Sequence, residues 1–227
     1  MPPIALINIT RQDADFPPED TLPILNLPNR QDRDAWIPRL IRAKRPFAVA
    51  SLETISQEEV LRLAETCRRR KLPVAILNAY RLIPVFARLQ EVIVSGCMGT
   101  LNAIQIHIPS AASAVLCADL ALWLLPNASS DALSTADDNR IAVVVSGSNG
   151  SAETSFDMDS HDASLIVRIG ETAHTSAVRS TSSPIFVERE ILSNTLPFAR
   201  RWPLLMHADD AASAIAMAET FAANIKK

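Results

Sequence analysis

Glycine is scarce in this chain: five among 227 residues, at positions 96, 99, 147, 150 and 170, and none in the first 95. A strand-to-helix turn that lets backbone approach a pyrophosphate needs several glycines, because a Cβ would block the approach. The N-terminal half therefore has no glycine-rich phosphate loop. Cysteine is scarcer still. Cys67, Cys97 and Cys117 are an odd number without paired spacing, which points to reduced thiols and a cytoplasmic chain, not a disulfide framework. Excess basic charge is missing too: 22 Lys and Arg face 25 Asp and Glu, a net charge of −3, so no field attracts nucleic acid. No positively charged segment followed by a long apolar run opens the sequence, and no signal peptide is expected. The longest apolar stretch, 111–125, contains Asp119 and falls short of the ~20 residues of a membrane span. His161, His174 and His207 show no metal spacing with one another or with the cysteines, which argues against a metal site. No Gly-x-Ser-x-Gly elbow or Cys–His pairing stands out either.

What is present reads as alternating strands and helices. The stretch 46–84 is the clearest. PFAVA is a short apolar run of strand length. Ser56 with Glu59 forms a capping box that starts a helix at Gln57. Val60, Leu61, Ala64 and Cys67 give it one apolar stripe, and Arg68, Arg69, Arg70 and Lys71 suit its carbonyl end. Pro73 stops it, and VAIL at 74–77 reads as a buried parallel strand. Upstream, 4–9 is a strand, 12–20 a loop and 22–27 a strand ending in Pro28-Asn29. The segment 32–44 is a helix with Trp36, Leu40 and Ala43 on one side and Pro38 in its first turns, where a missing N–H costs least. Downstream, a helix at 83–95 ends at Gly96, a strand runs 101–108, and an apolar helix at 111–125 ends at Pro126. The segments 140–145, 151–157, 164–169, 173–179 and 185–190 alternate in part, and Ser148-Asn149-Gly150 signals a hairpin. They predict a mostly antiparallel open sheet. A last helix near 209–225 carries a stripe of Ile215, Ala218, Ala222 and Ile225.

In a parallel sheet, residues just past the C-terminal strand ends line the ligand crevice. Here those are Ser51, Asn78, Tyr80 and Arg81, with Asp119 on the apolar helix as a further candidate. They suit a sugar, carboxylate or phosphate, with Arg81 as a bidentate donor; equally they suit a structural turn in which Arg81 bridges two domains. Asp119 reads as an acid with a raised pKa or as a carboxylate that bonds a neighbouring backbone group or faces a cleft passively. His107 reads as a solvent-facing strand residue, and Arg68–Lys71 as a solvated helix end.

These features, in this order, resemble the glucose–fructose oxidoreductase / inositol dehydrogenase (Gfo/Idh/MocA) family. Asn78, Arg81 and Pro84 match its Asn-x-x-Arg-x-x-Pro turn. Pro28-Asn29, the Gly96-x-x-Gly99 turn, the apolar helix ending in Trp123-Leu124-Leu125 and the Asp- and Ala-rich last helix follow the family order from about residue 22 onward. The resemblance implies an α/β fold: a shortened Rossmann-like parallel sheet over 1–82, then an α+β domain with an open, mostly antiparallel sheet over 83–227. It also implies hydride transfer between a nicotinamide and a sugar or polyol. The family's catalytic lysine, in Glu-Lys-Pro, falls on Ser51, within Ala50-Ser51-Leu52. Its histidine falls on Leu116, while Asp119 matches its aspartate. At ~30 residues per strand–helix unit, roughly 60 residues of the N-terminal half are absent or replaced. The expectation is a catalytically degenerate relative acting as a binding or assembly subunit, with no catalytic residue and no cofactor. The alternative is an NAD- or NADP-dependent sugar or polyol oxidoreductase, or a sugar-binding protein with a remodelled crevice. Partners expected are a second copy through the C-terminal sheet, using Val143, Val145, Ile166 and Ile169, or a full-length paralogue; nucleic acid and membrane are not expected. The segment 4–9, or a second subunit, is expected to cover the edge of the shortened sheet.

Overall fold

The computed structural model describes residues 5–11, 14–19, 21–50, 52–72, 74–110, 112–179 and 208–225. Ser51, the segment 185–190 and His207 lie outside them. The chain divides into two compact units, Met1–Asn78 with Ile185–Ile215, and Ala79–Pro184 with Ala216–Lys227. The two-part α/β fold expected from the sequence is what the structure shows: one parallel sheet and one mostly antiparallel sheet.

In the first unit, β1 (Ala5–Ile9), β2 (Thr21–Leu25), β3 (Phe47–Val49) and β4 (Val74–Ile76) form a sheet in that order, every adjacent pair parallel. β3 is buried along its whole length, as a strand covered on both faces must be. The segment expected to cover the sheet edge does so as a strand: β1 pairs with β2 from Ala5↔Thr21 to Ile9↔Leu25. Parallel neighbours need a crossover of about a dozen residues, and residues 10–20 supply it. Side chains beyond it hold it down. Trp36 Nε1 donates to the Arg11 carbonyl (3.2 Å), the Phe16 ring stacks on Trp36 at 6.1 Å, and the Arg39 guanidinium lies 4.2 Å from the Trp36 ring centre. Arg45 donates to the carbonyls of Pro17, Pro18 and Thr21.

The helix α1 (Arg30–Arg42) starts two residues earlier than expected, because Asn29 is its N-cap and accepts from Gln31 N (3.0 Å). Pro38 consequently sits in the helix interior, not in its first turns, and the Asp34 carbonyl loses its helical donor. The helix α2 (Gln57–Arg70) begins at Ser56, as read, but its buried stripe uses Leu63 in place of Leu61, which is 47% exposed. Only half of the capping box forms. Ser56 Oγ accepts from Glu59 N (3.3 Å), while the Glu59 carboxylate is taken by Arg33.

The second unit holds a sheet in the order β10-β9-β8-β7-β5-β6. Its strands are β5 (Leu101–Pro109), β6 (Leu133–Ala136), β7 (Arg140–Gly147), β8 (Gly150–Asp157), β9 (Asp162–Ile169) and β10 (Thr172–Arg179). Only the β5–β6 pair is parallel. The helix α3 (Pro84–Val94) packs over β8 and β9, and α4 (Ala114–Leu124) over β5. Ile104, Ile106, Ile141, Val143, Val145, Ala152, Phe156 and Leu165 form the covered face, nearly free of solvent. This corrects the expected subunit interface: Val143 and Val145 are 0% exposed and have no surface to offer a partner. The Gly96–Gly99 turn docks on the β7–β8 hairpin through Thr100 N to Ser148 Oγ (3.2 Å) and Asn149 N to the Met98 carbonyl (2.9 Å). A Cβ at Gly147 would run into that same carbonyl.

The last helix, α5 (Ala208–Ile225), buries Ala211, Ala214, Ile215, Ala218 and Phe221. The expected stripe ended on Ala222 and Ile225, but both are exposed; Phe221, three residues after Ala218, takes the next buried position. Among the described residues no helix is long and apolar enough to cross a membrane.

Thr154 on β8 breaks the polar rule: it is 0% exposed, and among the described residues its hydroxyl has no hydrogen-bond partner. An unsatisfied buried hydroxyl costs about 1–3 kcal/mol. Thr154→Val should therefore raise the unfolding free energy by about 1 kcal/mol, read as a higher urea midpoint at unchanged slope; a lower midpoint would contradict the assignment.

Candidate functional site

The candidate residues after β4 sit on a short chain segment. The Ala79–Leu82 stretch forms one 3₁₀ turn, and Pro84 at the first position of α3 ends it. Asn78, just past β4, is 1% exposed and belongs to the first unit. Tyr80 and Arg81 belong to the second, and there the structure brings them together with Asp119 on α4. Ser51 lies outside the described residues.

Two side chains tie the turn to α4. The Tyr80 hydroxyl accepts from the backbone N–H of Ser113 (3.3 Å), the residue whose own Oγ caps α4 through Leu116 N (3.5 Å). One turn further along, Asp119 accepts from Arg81 in a fork: Nε to Oδ2 at 2.6 Å, and Nη2 to Oδ1. The side chains of Arg81 and Asp119 are 5% and 1% exposed. A bidentate pair this deeply buried satisfies both charges and offers solvent almost nothing. The Arg81 guanidinium also lies 5.4 Å from the ring centre of Trp123, four residues after Asp119, a cation–π contact. The indole N–H of Trp123 is buried without a hydrogen-bond partner.

Two thiols are shut off by burial, each in its own unit. Burial pushes Cys117 on α4 up to about 12 and Cys67 on α2 up to about 11, and all three cysteines are free thiols. Among the described residues no cluster of three or more His, Cys, Asp and Glu could hold a metal ion. His107 stands on the face of β5 turned away from α4, its Nδ1 2.8 Å from Ser134 Oγ.

What sequence reasoning missed is Arg33. It is 1% exposed on α1. Its guanidinium reaches the Leu27 and Pro28 carbonyls (2.7 and 2.9 Å), Thr54 Oγ1 and carbonyl, and both oxygens of Glu59 (2.8 and 3.1 Å). It thereby fixes the loops that leave β2 and β3 on the crevice side of the sheet. The helical period was the available signal: Arg33, Trp36 and Leu40 share one face at i, i+3, i+7.

No protein-family model and no curated protein matches this sequence. Solved structures do match in fold. A proposed NADPH-dependent oxidoreductase from Desulfitobacterium hafniense superposes with a TM-score of 0.68 at 14% identity, over 89% of this chain and 77% of that one. An oxidoreductase from Agrobacterium radiobacter, in complex with NAD+, L-tartaric acid and magnesium, gives 0.66 at 12%, over 89% and 78%. The aldose-aldose oxidoreductase of Caulobacter crescentus, complexed with glycerol, gives 0.66 at 12%, over 91% and 78%. These neighbours are oxidoreductases of the Gfo/Idh/MocA type, and the likeness establishes the fold.

The comparison corrects the expectation of no cofactor. The Agrobacterium neighbour holds NAD+, so the shared fold is one that carries a nicotinamide dinucleotide. The glycine-turn mode of holding it does not fit this chain. β1 runs into Thr10 and Arg11, and no helix follows among the described residues before β2. Among the described residues a pyrophosphate therefore finds no helix N-terminus after the first strand.

Two outcomes follow from this geometry. Asp119→Asn leaves a buried guanidinium without its counter-charge and should cost about 3–5 kcal/mol, whereas the double change Arg81→Met with Asp119→Leu should recover most of it; chemical denaturation of the three proteins checks this. In the folded chain at pH 8, far below both raised thiol values, Cys67 and Cys117 should stay protonated and resist an aromatic disulfide reagent. The half-buried Cys97 should react, and all three should react after unfolding.

Proposed function

We propose that this chain is a catalytically degenerate relative of the NAD(P)-dependent oxidoreductases whose fold it shares, working as a binding or assembly subunit. One observation carries the reading: where its described lysines stand. The sequence has four, at 44, 71, 226 and 227. Lys44 and Lys71 follow α1 and α2 in left-handed conformations, both with φ 53°. Each lies just before the strand that comes next, on the edge of the sheet opposite the strand C-termini. A proton acceptor for a hydroxyl must stand at the C-terminal edge, where the ligand crevice lies. The described histidines supply no substitute there. His107 lies mid-strand in β5, His161 in the β8–β9 turn and His174 on β10. Asp119, the remaining family-like group, is held by Arg81. The Arg81–Asp119 pair acts here as a tie between the turn after β4 and α4.

The order β1-β2-β3-β4 supports a particular account of the descent. A doubly wound sheet runs 3-2-1-4-5-6, and four consecutive parallel neighbours correspond to its run 1-4-5-6. In that reading the shortening lies between β1 and β2, where 11 residues (10–20) replace two strand–helix units. The assembly role uses the open face of the second sheet, where Gln105, Val144, Glu153, Ile166 and Thr175 form one cross-strand row. Small residues flank that row: Ala103, Ser146, Ser151 and Ala173 around Arg168. An open sheet face of this kind suits isologous packing of two copies.

The test uses the purified full chain. With NAD+ or NADP+ and a panel of aldoses, polyols and hydroxy acids, no reduced nicotinamide should accumulate, and light scattering at micromolar concentration should give a dimer. Steady turnover with any of these substrates would overturn the degenerate assignment; a monomer would overturn the assembly role.

A further inference from the structure

A groove of about 480 Å³ runs between α1 and α2 in the first unit. We propose that it binds a small amphiphilic anion: an apolar chain of about ten carbons ending in a carboxylate, sulfate or phosphate. Its floor is apolar, formed by Ile37 and Ile41 of α1 and Leu63 of α2. Arg42, Arg62 and Arg70 stand around the rim, and among the described residues no hydrogen bond or ion pair engages their guanidinium groups. Of the two carboxylates that line the groove, Glu59 is buried against Arg33 at 2.8 Å, while Asp34 makes an exposed pair with Arg30 at 3.6 Å. Three guanidiniums thus face one available carboxylate over a hydrophobic floor. The helix dipoles temper Arg42 and Arg70, which lie in the last turns. Arg62, in the second turn of α2, lies away from that end of the dipole. A planar guanidinium suits a carboxylate, sulfate or phosphate.

The size selects the ligand class. The volume lies in the range of about 300–1,000 Å³ typical of small-molecule sites. Three arginines on a chain of net charge −3 do not make a nucleic-acid field. The groove lies between the two helices, and it stands or falls independently of the proposed function.

Sodium decanoate, titrated calorimetrically into the full chain at low ionic strength, is the probe. The expected result is one saturable site. Arg62→Gln with Arg70→Gln should weaken it by about tenfold or more, and Ile41→Asn should weaken it as well. Arg88→Gln, on the exposed surface of α3, should leave it unchanged. Raising the salt to about 1 M should weaken binding to the parent chain and barely affect the double variant. Circular dichroism confirms that each variant is folded. Absence of saturable binding would overturn the proposal, as would equal affinity in parent and double variant or an equal loss in Arg88→Gln.

Discussion

The first unit depends on a buried guanidinium. Arg33 is one of the largest fully buried side chains in the chain, and a charge in that position is tolerable only when every donor finds a partner. Its three nitrogens reach Glu59, Thr54 and the carbonyls of Leu27 and Pro28. These partners come from the ends of β2 and β3 and the start of α2, so one side chain sets the positions of two crevice loops. The helix that carries it packs through Trp36 and Leu40, both 0% exposed. Trp36 then anchors the β1–β2 connection through Arg11 and Phe16. Removing the charge partner would leave an uncompensated buried cation, a penalty of about 3–5 kcal/mol.

The second unit repeats the device with different partners. Arg81 and Asp119 couple the turn after β4 to the middle of α4, and Tyr80 couples it to the start of that helix. Helix α4 is apolar almost all round, so it has no amphipathic preference of its own to set its rotation. A single buried carboxylate that must face a single guanidinium supplies that preference. The pair thus explains why a charged residue persists in an apolar helix without assigning it proton chemistry. Such a tie holds the frame whatever chemistry the site carries, because function lives in the site and stability in the frame.

Much of the frame was legible from local pattern. PFAVA and VAIL read as buried parallel strands because both faces of such strands are apolar. Ser56 marked the start of α2, and Gly96 the end of α3, because each solves a stereochemical problem at a helix terminus. The errors have equally definite causes. Glu59 read as a capping residue because the sequence shows only its spacing from Ser56; the stronger pull of a buried Arg33, 26 residues away in the chain, is a tertiary fact. Leu61 read as core and Val143 and Val145 as interface because periodicity gives alternation but not which face is covered. Pro38 read as harmless because the helix start was placed at Asp32, two residues late.

The sequence by itself determined most of the element order (though not β6, Leu133–Ala136), the parallel and antiparallel division, and the absence of glycine from the first connection. Those depend on near-neighbour sterics and on hydrophobic period, which act within a few residues. Only the tertiary structure decided that Asp119 answers Arg81, that Glu59 answers Arg33, and that α1 and α2 leave three arginines around an apolar floor. Charges separated by tens of residues choose their partners through burial, and burial exists only once the chain has closed.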